Sequence, residues 1–156
     1  MLPLTEVGTA LVIVYVTMVA LIDLRTQRIP NLLSATAALL GLIAQVSLNG
    51  APGLLSALAG AAIGLGMFLP FYLLRAVGAG DVKAMATVGI FLGAQATLLA
   101  VAFTLIVGAI VGVIVLLLQS SAAAAATRTR RFAYGGAIAV GTFATLVAPG
   151  AMQLPF

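Results

Sequence analysis

Gly78-Ala79-Gly80-Asp81-Val82-Lys83 is the stretch on which the reading of this chain turns. It is a polar island between two long apolar segments, and it carries one of only 3 acidic residues among 156. A second island, Asp23-Leu24-Arg25-Thr26-Gln27-Arg28-Ile29-Pro30-Asn31, carries another, and Glu6 is the third. Around the islands the chain is 63% hydrophobic and only 6% charged, whereas soluble domains carry about 25% charged residues. A spanning helix needs roughly 20 mostly apolar residues, so the chain has room for about six and for no separate soluble domain. The expectation is an all-α, polytopic membrane helix bundle in which residues 1–156 form a single integral-membrane domain.

The composition also excludes chemistry. The chain contains no cysteine and no histidine. Disulfides, thiol nucleophiles, histidine general bases and the usual zinc ligand sets are therefore absent, and neither a metal nor a cofactor is expected. Hydrolysis would have to run on carboxylates, hydroxyls or the single lysine, Lys83. The net charge of +4 reads as a topology signal rather than as nucleic-acid binding, because basic residues in a membrane protein first report orientation. No basic run precedes the first apolar segment, so it is expected to stay in the mature protein rather than act as a cleaved signal.

Six apolar segments are expected, at about 6–24, 31–48, 53–75, 81–91, 94–118 and 134–148. Pro30 bars its predecessor from helix, Asn49-Gly50-Ala51-Pro52 reads as a turn, Pro70 reads as a kink near the end of the third segment, and Pro149-Gly150 reads as the final stop. The fourth segment is short, either crossing a thinned region or lying buried among its neighbours. An alanine-rich stretch at 120–127 separates the fifth segment from Arg128, Arg130 and Arg131. Glycines four apart at 60 and 64 and at 108 and 112 read as close-packing pairs, and Gly89 and Gly93 flank the end of the fourth segment. With six crossings, the loops after the first, third and fifth segments share one side. Those loops hold all 7 Lys and Arg residues, which is the partition the positive-inside rule demands. It puts them in the cytoplasm and both termini outside.

The same topology brings Asp23 and Asp81 to one membrane face at matched depth. An ionisable residue at membrane depth is costly and marks a functional candidate. Two carboxylates that share a proton can hydrolyse a peptide: the ionised one takes a proton from a water between them, and the protonated one polarises the scissile carbonyl and later protonates the leaving amine. Helix dipoles would make Asp81, at a helix start, the base and Asp23, at a helix end, the acid. Gly78 and Gly80 beside Asp81 would allow positive φ and close approach of a substrate backbone. Plainer readings stand beside these. Asp23 could pair with Arg25 or Arg28, Asp81 could pair with Lys83 or Arg75, or Asp81 could simply cap its helix. Lys83 and the arginines could hold a carbonyl or a lipid phosphate, or only set topology.

The two islands together resemble the prepilin peptidase family, the membrane-embedded GxGD aspartyl proteases. Asp23 followed by Ile29-Pro30-Asn31 is similar to that family's first motif, and Gly78 to Lys83 is similar to its GxGDxK motif. Tyr134-Gly135-Gly136-Ala137 is similar to a YGPA-like segment of short members. The resemblance implies a catalytic pair of Asp23 and Asp81, with Gly78, Gly80, Lys83, Pro30 and Asn31 shaping the loops or contacting substrate. The implied substrate is a prepilin or pseudopilin whose basic leader is cut off at the cytoplasmic face of the bacterial inner membrane. Longer members add a cysteine-based zinc site and methylate the new N-terminus, so this chain resembles the short form of tight-adherence pilus systems, without methyltransferase activity. Expected partners are the precursor peptide and membrane lipids, and no nucleic acid. Two other classes compete. A proton- or cation-coupled transporter or channel subunit would use the same carboxylates but would need a continuous polar path, and a non-catalytic assembly subunit would need neither aspartate.

Overall fold

The computed structural model describes residues 4–118 and 134–148, which form α1 (Leu4–Thr26), α2 (Asn31–Leu73), α3 (Ala79–Leu118) and α4 (Tyr134–Val147). The alanine-rich stretch, the arginine cluster and the Pro149-Gly150 stop lie outside the described residues. Among those described, α1, α2 and α3 are long and apolar enough to cross a membrane, and α4 is a shorter apolar helix.

In α1 the inward face is written at helical spacing. Val12, Tyr15, Val16 and Val19 are buried, and Asp23 follows on the same stripe. Val14, Met18 and Leu21 point outward, an apolar exterior that suits lipid rather than water. The helix ends after Thr26, where Gln27 turns to φ 52° and its N–H returns to the Asp23 carbonyl at 2.9 Å. That is an αL cap, and Pro30 keeps the chain extended until α2 begins.

α2 has 43 residues and would run roughly 65 Å if straight, about twice a hydrocarbon core. It is broken at Gly50, whose φ of 59° and ψ of −138° are not helical. The expected turn over residues 49–52 is thus a one-residue break. Helix resumes at once, with Pro52 in the new first turn, where a missing N–H costs nothing. Pro70 lies inside the second run, whose backbone stays helical there, since the only non-helical residue inside α2 is Gly50. The helix closes just beyond it: Arg75 N–H reaches the Tyr72 carbonyl at 2.9 Å and Ala76 N–H the Phe71 carbonyl at 2.8 Å, a Schellman cap. α3 is broken in the same way at Gly93, with φ 72° and ψ −179°.

The expected second to fifth segments are therefore the two halves of α2 and the two halves of α3. The short run 79–92 is the centre of the fold, with Val82, Ala84, Met85, Val88, Ile90, Phe91 and Leu92 buried. The run thus lies buried among its neighbours, which leaves open whether it also crosses the membrane. Asn31 meets Lys83, Ser34 meets Thr87 and Gln45 meets Phe91, so the first half of α2 runs parallel to it. Gly60 meets Gly89 and Gly64 meets Met85, so the second half runs antiparallel. α2 is a hairpin closed on the core run. A Cβ on Gly60 would overlap the Gly89 backbone and one on Gly89 the Gly60 backbone, so only glycine allows this approach. The second half of α3 returns beside α4, where Thr104 meets Gly141 and Gly108 meets Tyr134, while a Cβ on Gly112 would touch nothing. Of the glycines read as packing pairs, Gly112 packs against none of the described residues. Successive helical runs alternate in direction, which collects residues 26–31, 73–79 and the start of α4 at one end.

Candidate active site

The GxGD sequence has a local explanation. Gly78 precedes the first residue of α3 and is its N-cap, which makes Asp81 the third helical residue. The Gly78 N–H donates to Asp81 Oδ2 at 2.8 Å, the reach-back half of a capping box. Gly78 and Gly80 are not where positive φ is used. The glycines with positive φ among the described residues are Gly50 and Gly93. The loop glycines matter for space instead. A Cβ on Gly80 would stand 3.1 Å from Ile29 Cβ, and one on Gly78 3.3 Å from Asp81 Oδ2. The bareness of Gly80 lets Ile29 lie against the start of α3, and that of Gly78 leaves room for the Asp81 carboxylate.

Asp23 is held differently. It sits in the last turn of α1, and its Oδ2 accepts the N–H of Gly135 at 2.7 Å, in the first turn of α4. A Cβ on Gly135 would lie 2.8 Å from Asp23 Cβ and 2.9 Å from Oδ2. Each carboxylate thus takes a glycine N–H at the start of a helix. The dipole argument that assigned Asp81 as base and Asp23 as acid loses its footing, because both aspartates face helix N-termini. Gly135 is the site residue that sequence reasoning missed as a contact. Its signal was its place in the Tyr134-Gly135-Gly136-Ala137 segment, which resembles a family motif but names no contact with Asp23.

The two islands are tied together at their rims. Lys83 Nζ donates to Asn31 Oδ1 at 2.9 Å, so the lysine and the asparagine of the two motifs join each other. Pro30 is the N-cap position of α2, in extended conformation, with no side-chain cap bond. Asp81 is not the N-cap residue of the plainer reading; its carboxylate reaches back to the N-cap N–H from the third helical position, and since a carboxylate has two oxygens that bond occupies one. The hydrogen bonds that hold both carboxylates come from backbone N–H groups rather than from the neighbouring bases.

Asp23 and Asp81 are 5% and 7% exposed, yet both line one cleft of about 880 Å³ with Arg28, Tyr72, Arg75 and Lys83. Two carboxylates bordering one cleft are the residue types that a shared-proton acid–base pair requires. Among the described residues, no three His, Cys, Asp or Glu side chains come together as a metal site.

The Peptidase_A24 family model, described as the type IV leader peptidase family, matches residues 10–113. Neither a curated protein nor a solved structure matches the chain. The matched residues begin inside α1, take in both aspartates with the whole Gly78 to Lys83 motif, and end near the close of α3, short of α4. With well over half of its length matched, the chain belongs to the type IV leader peptidase family.

Proposed function

We propose that the protein is an aspartyl endopeptidase that removes the basic leader from prepilin or pseudopilin precursors at the cytoplasmic face of the bacterial inner membrane, without methylating the product. In this reading the helical runs cross the membrane six times, both termini lie outside, and residues 1–156 act as one domain. The observation that carries it is the shared cleft: two nearly buried aspartates, from helices far apart in sequence, border one opening.

The chemistry follows from two carboxylates with one proton between them. The ionised aspartate takes a proton from the attacking water. The protonated one polarises the scissile carbonyl and then supplies a proton to the departing amine. The backbone N–H bonds to Asp23 and Asp81 fix one oxygen of each, so neither side chain needs to reorganise during the reaction. Lys83, Asn31, Pro30, Gly78 and Gly80 shape the opening through which an extended precursor reaches the pair.

The test is cleavage of a prepilin by membranes carrying the wild-type chain, Asp23→Asn or Asp81→Asn. Asparagine keeps the shape but transfers no proton. Wild type is expected to cut just before the apolar helix of the precursor, and each variant to be inactive while still folded. Near-normal cleavage by either variant overturns the two-carboxylate mechanism. Failure of wild type on every prepilin tried overturns the substrate assignment.

A further inference from the structure

The family match ends at residue 113, yet the bond that orients Asp23 comes from α4, beyond it. We propose that Gly135 is a positioning residue for Asp23. On the aspartyl-protease reading above, it fixes the carboxylate toward the cleft by combining an N–H donor with the absence of a side chain.

Three observations carry this. The Gly135 N–H to Asp23 Oδ2 distance is 2.7 Å, at the short end for a donor facing a carboxylate. The contact leaves no room, since a Cβ on Gly135 would also stand 3.1 Å from Asp23 Cγ. Any side chain must push the carboxyl group away from its present rotamer. The donor itself is pinned. The adjoining Tyr134 packs edge-on against Phe68, with ring centroids 5.9 Å apart and planes at 79°. Its ring and hydroxyl also fill the space where a Cβ on Gly108 would be. The first turn of α4 is therefore seated on α2 and α3, and Gly135 cannot retreat to make room. Asp81 needs no such help from a distant helix, because its donor, Gly78, lies three residues away.

Gly136 supplies the control. It is in the same turn, and a Cβ there would meet none of the described residues within 4 Å. The purified full chain in nanodiscs is assayed on a synthetic prepilin as wild type, Asp23→Asn, Gly135→Ala and Gly136→Ala. Displacement of a catalytic group by about 1 Å can cost about 100-fold. Gly135→Ala is expected to lower kcat at least ~30-fold, with KM within about twofold, and Gly136→Ala to match wild type. A wild-type kcat in Gly135→Ala, or an equal loss in Gly136→Ala, overturns the proposal.

A second measurement covers the case in which Gly135→Ala does not fold. In ¹⁵N-glycine-labelled protein, the Gly135 amide proton resonance is expected to shift strongly in Asp23→Asn and far less in Asp81→Asn. Indifference to Asp23→Asn removes the contact and the proposal with it. The two readings fail separately. If wild type does not cut, or Asp23→Asn still cuts, the protease reading falls and takes this role with it. If wild type cuts, Asp23→Asn is dead and Gly135→Ala is fully active, only the role of Gly135 falls.

Discussion

Lys83 illustrates what a single charged side chain can do in an apolar protein without touching the chemistry. Its ammonium donates to Asn31 Oδ1 across 52 residues of sequence, so it fastens one motif to the other at an exposed rim. A rim contact of this kind contributes about 1 kcal/mol, which is a factor of about five in an equilibrium. Lys83→Met and Asn31→Ala are each expected to lower kcat/KM by about fivefold and to leave the helical content unchanged. The double variant should be no worse than the worse single, because both remove the same bond. A double-mutant cycle in kcat/KM reads this directly; additive losses would mean that Lys83 contacts the precursor instead. At this scale the sequence was legible where letters are rare. Two aspartates in a chain with 3 acids announce themselves. Gly135 did not, because the group that matters is a backbone N–H, and every residue but proline has one.

The helices owe their packing to glycines, and glycines in equivalent sequence settings differ sharply in what they support. A Cβ on Gly60 would overlap the backbone of Gly89, whereas one on Gly66 would meet nothing within 4 Å. Gly60→Ala must force α2 off the core run 79–92, and overpacking of this kind costs about 1–3 kcal/mol or more. Gly66→Ala adds a methyl group to an open helix face and gains up to about 1 kcal/mol of helix propensity. Thermal unfolding of the purified protein should therefore shift downward for the first variant and hold or rise for the second. A similar response from both would mean that the hairpin does not close on Gly89. Sequence reading found the small-residue pairs but not which of them engage, since Gly108 packs and Gly112 does not. That choice depends on the register between helices, which no single helix encodes. The breaks at Gly50 and Gly93 were legible as boundaries. Their form was not, because a glycine at positive φ reverses a helix without the loop that a turn signal suggests.

Across the whole molecule, the alternating helical runs put the described basic residues Arg25, Arg28, Arg75 and Lys83 near the same end as both aspartates, away from Gly50 and Gly93. In α4 the buried hydroxyls are used locally: Thr142 donates to the Ile138 carbonyl and Thr145 to the Gly141 carbonyl, each one turn back in the same helix. The six-crossing arrangement is testable because the chain has no cysteine of its own. Ala51 and Ala76 are both exposed, Ala51 beside the Gly50 break and Ala76 on the lining of the cleft. In intact cells a membrane-impermeant thiol reagent is expected to label Ala51→Cys and to spare Ala76→Cys, with the pattern reversed in inside-out vesicles. Labelling of both from one side would contradict the alternating crossings, and the opposite pattern would invert the orientation. The cleft position adds an internal check. Reagent on Ala76→Cys should block precursor cleavage, and reagent on Ala51→Cys should leave it intact, because only the first stands at the mouth that the substrate must enter.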